Sequence, residues 1–215
     1  MCREPIWKQL NAECVNIVEP DGTLRLSLYN SQNMAPIMMD GANLLPGHRE
    51  GQGIAGIMFY NSEGDECGGL GMSCHRNADG SYHSSISMTF DQYKQDQVVQ
   101  VSVSEKNGQR SYGYTIYDRP NKHISENLKV RKTLENPHVS QDEKERVAQA
   151  YAAENAVRMR LGKGADGSVS VQINDSAGRL RVEIALPADG AARIVLYDKD
   201  GKAYKTLTAA TETRV

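Results

Sequence analysis

The stretch Gly53-Ile-Ala-Gly-Ile-Met-Phe-Tyr-Asn-Ser-Glu-Gly-Asp-Glu-Cys-Gly-Gly-Leu70 decides the fold, because the chain contains a second version of it. That version, without a gap, is Gly190-Ala-Ala-Arg-Ile-Val-Leu-Tyr-Asp-Lys-Asp-Gly-Lys-Ala-Tyr-Lys-Thr-Leu207, and six of the eighteen positions are identical. Each copy predicts a strand, a tight turn and a second strand. The repeat therefore indicates an architecture built from hairpins.

A turn signature recurs along the chain, in which an acidic or amide residue is followed three positions later by glycine. Asn61 to Gly64 and Asp198 to Gly201 are two examples. Glycine suits the left-handed position that follows a type I turn. Between the turns apolar and polar residues alternate, which is typical of antiparallel strands. The predicted strands lie near 13–19, 23–29, 54–60, 66–73, 81–90, 97–104, 110–118, 168–174, 179–186, 191–197 and 202–208.

One long helix interrupts this pattern. Ser140 and Glu143 form a capping box, and the helix is predicted to run over about 141–161 and to stop at Gly162. A shorter amphipathic piece near 125–134 fits either a helix or a strand.

The predicted fold is mainly β: one domain over 1–215, an antiparallel meander of two related halves, barrel-like, with the helix packed on it. The internal repeat covers 21–73 and 177–208, and a helical connection covers 121–164. A small propeller or a sandwich is the alternative.

The first half carries a longer connection than the second. The register offset between the halves is 156 near Gly22 and 137 from Gly53 onward, so the first copy has an insertion of 19 residues after Tyr29. Long loops in compact domains serve as lids or binding loops, or cap the end of a sheet. Within this loop, Met38, Met39, His48 and Arg49 are the predicted ligand contacts.

Two further segments supply candidate residues. Gly68 and Gly69 leave room for a ligand or mark a bend or bulge in a strand. Asp91 and Tyr93, in a polar amide-rich segment, line a ligand pocket or bond backbone amides in a wide connection. A catalytic interpretation of the same region uses Asp91, Tyr93, His48 or Glu66 as acid/base groups.

Composition limits the classes of function. A formal net charge of -2 gives no electrostatic case for nucleic acid, and no apolar run is long enough to span a membrane. Cys74, His75 and His83 lack a fourth ligand at zinc spacing, so neither a metal nor a cofactor is predicted. The chain as it stands favours the cytoplasm, whereas removal of an N-terminal signal or anchor would place it outside. A homo-oligomer is possible.

Three segments resemble a family of uncharacterised bacterial β-rich proteins. They are Asp21-Gly-Thr-Leu-Arg-Leu26, Phe59-Tyr-Asn-Ser-Glu-Gly-Asp-Glu-Cys-Gly-Gly-Leu70 and Phe90-Asp-Gln-Tyr-Lys-Gln-Asp-Gln-Val-Val99. The resemblance implies a β-rich fold and, in many members, an N-terminal hydrophobic anchor, a feature from which this sequence departs. It implies no activity and no site residues.

Two functions follow as hypotheses. The first is a non-catalytic binding or interaction module, in which a small apolar or amphipathic ligand or a protein partner is held at the barrel mouth under the 30–52 loop. The second is an enzyme that acts on a small molecule inside the barrel. No paired catalytic set is visible in the sequence, which favours the first.

Overall fold

A computed structural model describes residues 7–188 and 190–208. Twelve strands form one antiparallel sheet, in which each strand pairs with the next one along the chain. The mainly β, meandering fold is therefore confirmed. The sheet strands are β1 (Cys14–Val18), β2 (Leu24–Tyr29), β5 (Ala55–Tyr60), β6 (Glu66–Arg76), β7 (Tyr82–Asp91), β8 (Gln97–Lys106), β9 (Gln109–Tyr117), β10 (Val157–Lys163), β11 (Val169–Asn174), β12 (Leu180–Leu186), β13 (Arg193–Tyr197) and β14 (Ala203–Thr208).

Strand pairing does not close the sheet, because β1 and β14 are its two edges. The barrel is therefore open, and a barrel-like or sandwich arrangement describes it. A separate two-residue hairpin, β3 (Met38–Met39) and β4 (Ala42–Asn43), lies within the 30–52 loop.

Two helices connect β9 to β10: α1 (Ser125–Glu135) and α2 (Gln141–Glu154). Ser140 caps α2 by accepting a hydrogen bond from the Glu143 amide, as the capping box predicts. The prediction that this helix continues to 161 is wrong, because residues from Val157 onward form β10. Val157 and Leu161 fit the helical period as well as the strand period, and pairing with β9 and β11 favours the strand. Within the described residues, no helix is long and apolar enough to span a membrane.

The two hairpins of the repeated stretch have the same shape. In each, the register shifts just before the turn, between Phe59 and Tyr60 in one and between Leu196 and Tyr197 in the other. In each turn the glycine amide donates a hydrogen bond to the carbonyl oxygen three residues earlier, over 3.1 Å from Gly64 to Asn61 and 3.2 Å from Gly201 to Asp198. Common descent of the two halves stays a prediction.

The sheet has two chemically different faces. Directly paired residues share a face, so the pairs from Leu28 through Ile57 and onward define an apolar face. On the other face the 30–52 loop covers one end of the sheet. There Tyr29, Met58 and Tyr60 are buried with Ala35 of the loop.

A hydrogen bond fixes this loop on the sheet. The Tyr60 hydroxyl donates to the Pro36 carbonyl oxygen over 3.0 Å, and the Tyr60 side chain is buried. Met39 from β3 is 1% exposed, the most buried large side chain of the loop. The insertion is thus packed as part of the fold.

Gly68 lies in β6 at a position where the backbone of the neighbouring strand leaves no room for a side chain. Its φ is +133°, and a Cβ atom there would lie 2.3 Å from the Thr89 carbonyl oxygen of β7. Only glycine fits such a conformation without strain. Strand contact alone therefore requires this glycine.

We expect Gly68→Ala to lower the free energy of unfolding by more than about 2 kcal/mol. Alanine would have a strained backbone at this φ, and its methyl group would clash with the Thr89 carbonyl oxygen. Gly80→Ala is the matched control: its φ is +85°, but no atom lies within 4 Å of the methyl group that alanine adds, so a loss of about 1 kcal/mol is expected. Urea unfolding measures both. Equal losses of stability in Gly68→Ala and Gly80→Ala would show that contact with the neighbouring strand does not require glycine at position 68.

Candidate functional site

A cavity of about 380 Å³ lies between the 30–52 loop, the ends of β6 and β7, and the two helices. Its walls are mainly apolar and its polar groups are clustered. The apolar lining comprises Ile37, Met39, Leu45, Ile124, Leu128, Val130 and Leu134, and the polar lining comprises Arg49, Glu66, Asp91, Gln95, Asp96, Asn127, Arg131, Glu135 and Tyr151. This combination is typical of a site for a small organic ligand.

An ion pair joins the loop to the sheet in this cavity. Arg49 Nη2 donates to both carboxylate oxygens of Glu66, over 2.7 and 2.8 Å, and each side chain is 15% exposed. Arg49 Nη1 also donates to the Ala35 carbonyl oxygen over 2.7 Å. Burial nevertheless raises the pKa of Glu66, and the Arg49 charge opposes that rise. One guanidinium therefore holds both the loop and the first residue of β6.

Asp91, the last residue of β7, has the most strongly shifted carboxyl group in the cavity. Burial, followed by the negative charges of Glu66 and Asp96, raises its pKa from 3.8 to about 7. No hydrogen bond or ion pair to its carboxylate is formed by the described residues. Near neutral pH the group can therefore either hold a proton or accept a cation.

Asp96 and Arg119 hold the helical connection against the sheet. Arg119 Nη2 lies 3.4 Å from Asp96 Oδ2, and Arg119 Nε donates to the Gln97 carbonyl oxygen over 2.8 Å. The same guanidinium donates to Asn155 Oδ1 at the end of α2. Tyr151 of α2 lines the cavity beside this group, and burial raises its pKa.

Gln95 connects the β7–β8 loop to α1. Its side chain is 1% exposed, its Nε2 donates to the Lys122 carbonyl oxygen over 3.0 Å, and its Oε1 accepts from Asn127 over 2.9 Å. The wall that α1 contributes to the cavity therefore depends on a buried amide in the polar segment after β7.

A second polar cluster holds the tip of the loop. Lys94 makes ion pairs with Asp40, Glu63 and Asp65, and these hydrogen bonds raise its pKa. Asp65 is fully buried, and its Oδ1 accepts from the Asp40 amide over 2.6 Å. His123 Nε2 lies 2.9 Å from Asp40 Oδ2. This cluster fixes β3 and β4 beside the cavity.

The structure brings three of the predicted ligand contacts together, since Met39, Arg49 and Asp91 line the cavity with Glu66 from the catalytic interpretation. Their role in binding stays a prediction. The other predicted contacts lie elsewhere among the described residues. Met38 packs on the core below the loop, Gly68 and Gly69 are buried in β6, His48 is exposed, and Tyr93 is 66% exposed with its hydroxyl on Glu63.

Sequence reasoning missed Gln95 and the α1 wall. The polar segment after β7 is visible in the sequence, but its contacts with residues 120–135 depend on how the long connection folds back. Comparison with known proteins finds no matching family and no similar curated protein. The bacterial family resemblance therefore stays a prediction.

We expect Arg49→Met to lower the free energy of unfolding by about 3–5 kcal/mol, because Glu66 would then be buried without its partner. The double variant Arg49→Met/Glu66→Leu is expected to recover much of that loss. Arg146→Met is the control, since its pair with Glu143 is exposed and contributes little to stability. Urea unfolding would contradict the assignment if Arg49→Met and Arg146→Met had equal effects.

Asp91 makes a specific contribution to the pH dependence of stability. Folding raises its pKa from 3.8 to about 7, so the folded state binds the proton more tightly and stability falls as pH rises between those values. Asp91→Asn removes this contribution. We expect the variant to gain stability relative to wild type from pH 4 to pH 7.5, by up to the order of 4 kcal/mol.

Thermal or urea unfolding across that pH range measures the difference. Asp142→Asn, on the exposed first turn of α2, is the control and should follow the wild-type profile. A constant offset between Asp91→Asn and wild type at every pH would contradict the assignment.

Proposed function

We propose that the protein is a non-catalytic binding module, and that a small amphipathic ligand occupies the cavity under the 30–52 loop. The observation that carries this proposal is the Asp91 carboxyl group, which lines the cavity and, unlike the other carboxylates there, has no hydrogen-bond or ion-pair partner among the described residues. Buried carboxylates in proteins are normally paired. A ligand with a hydrogen-bond donor would give the Asp91 carboxylate the partner that it lacks.

The polar groups favour a cationic head group. Glu66, Asp96 and Glu135 already have arginine partners, so the three arginines of the site are engaged. Asp91 is then the remaining acidic group, and an ammonium group is the complementary ligand charge. An aliphatic chain attached to that group would lie along Leu45, Leu128 and Leu134. The ligand class is therefore a primary aliphatic amine.

The loop insertion supports the same proposal. Residues 30–52 supply part of the apolar wall and also Arg49, whereas the corresponding connection of the second copy is 19 residues shorter. The segment that distinguishes the two halves therefore forms one wall of the cavity. Long, well-packed loops commonly carry binding residues.

We expect decylamine to bind more tightly than decanol or decanoate, because the three probes share a chain and differ in head-group charge. Its affinity should rise about tenfold between pH 6 and pH 8, as Asp91 loses its proton near pH 7. Isothermal titration calorimetry measures both effects. Asp91→Asn should bind decylamine and decanol with similar affinity.

Asp142→Asn is the matched control and should retain the preference for decylamine. The proposal fails if decanoate and decylamine bind equally well to wild type, or if Asp91→Asn keeps the amine preference. Binding that disappears on Leu128→Arg would place the probe in the cavity, because Leu128 lines it from α1.

An acid/base enzyme in the same cavity is the second candidate. Glu66 and Asp91 both line the cavity, and the Glu66 charge contributes to the raised pKa of Asp91. In that case Asp91→Asn should abolish turnover of an ester probe such as p-nitrophenyl butyrate and leave its binding unchanged. His48 and Tyr93 do not line the cavity, so two of the four predicted acid/base groups are left.

A further inference from the structure

An unbroken apolar row crosses all twelve strands on the face that the loop does not cover. Each member is the direct pairing partner of the next, so all lie on one face of the sheet. From β1 to β14 the row is Val15, Leu28, Ile57, Leu70, Met88, Val101, Tyr114, Leu161, Val171, Ile184, Ile194 and Leu207. The parallel row one residue away, on the opposite face, is mostly glycine, serine and other small residues.

The apolar face is open to solvent along its whole width. Leu28, Val101, Leu161, Ile184 and Leu207 are each between 41% and 48% exposed. The neighbouring rows of the same face expose further large side chains in the same way, among them Met72, Ile86, Phe90, Val103, Tyr112, Val169, Ile173 and Leu186. A monomeric protein rarely exposes so large a continuous apolar surface.

The area of the chain quantifies this exposure. Its accessible surface is 14713 Å², whereas a compact monomer of 23.7 kDa exposes about 9,800 Å². The excess of about 4,900 Å² belongs to the whole chain, and it is larger than the roughly 1,000–2,500 Å² that each subunit contributes to an obligate dimer interface. The exposed side chains of the apolar face contribute to this excess, and a second layer on that face would cover them.

The charge pattern of the apolar face indicates which molecule supplies the second layer. Lys163 and Lys205 are the charged residues of the three central rows, so the face carries almost no charge to select a different protein. A lipid surface is disfavoured, because the turns at the sheet ends carry acidic residues such as Asp79, Asp166 and Asp198, and the net charge is -2. An uncharged apolar face is complementary to a copy of itself.

We propose that two copies of this chain pack their apolar faces together and form a β-sandwich homodimer. Each sheet then supplies one layer, at the spacing of about 10 Å that is usual between packed sheets. The cavity under the 30–52 loop stays accessible, because the loop lies on the opposite face. The inference is independent of the proposed ligand.

Sedimentation equilibrium of the full chain at about 1–100 µM tests this proposal. Wild type should sediment as a dimer, at twice the 23.7 kDa chain mass. Val101→Lys and Leu207→Lys should each raise the dimer Kd by about 100-fold or more, because each inserts a charge into the interface. Both positions are about 45% exposed in the single chain, so circular dichroism should show an unchanged fold.

Thr206→Lys is the matched control, because Thr206 is next to Leu207 on β14 and belongs to the opposite face. It should leave the dimer Kd within about threefold of wild type. A monomeric wild type at about 100 µM would overturn the proposal, and so would equal effects of Thr206→Lys and Leu207→Lys. Cosedimentation of monomeric wild type with phosphatidylcholine vesicles, lost in Val101→Lys, would replace the second copy with a lipid surface.

Discussion

The buried ion pair between Arg49 and Glu66 is the constraint on which the cavity depends. Arg49 lies in the long loop and Glu66 begins β6, so the pair fixes the loop against the sheet. The same guanidinium also holds the Ala35 carbonyl oxygen. A buried pair of this kind contributes little net stability but strongly disfavours any arrangement that separates its partners. Its main effect is to make one position of the loop much more favourable than others.

Much of the fold could be predicted from the alternation of apolar and polar residues. The strands from β5 to β9 and from β11 to β14 follow that alternation, and their turns contain the expected glycines except between β7 and β8, where Lys94 has the positive φ. The end of α2 could not be predicted, because Val157, Met159 and Leu161 satisfy a strand and two of them also satisfy a helix. Strand pairing with β9 decided between the two, and pairing is a long-range property.

The site was predictable only in part, for a related reason. Arg49 and Asp91 stand out in the sequence as charged residues within unusual segments, and both line the cavity. His48 stands beside Arg49 in the chain but is exposed, since a loop can direct consecutive side chains in different directions. In the sequence, nothing distinguishes Gln95 from the other polar residues of the β7–β8 loop. Its burial follows from the return of residues 122–127 over it, which no local pattern encodes.

The meander gives the molecule an almost one-dimensional contact map. Every strand of the large sheet pairs only with its neighbours in the chain, so structure can form or melt from one edge inward, strand by strand. The cavity uses β6 and β7, and seven strands stand between β7 and the β14 end of the sheet if β14 itself is counted. The C-terminal hairpin can therefore fray without disturbing the cavity, and the two ends of this protein can differ widely in hydrogen-exchange protection.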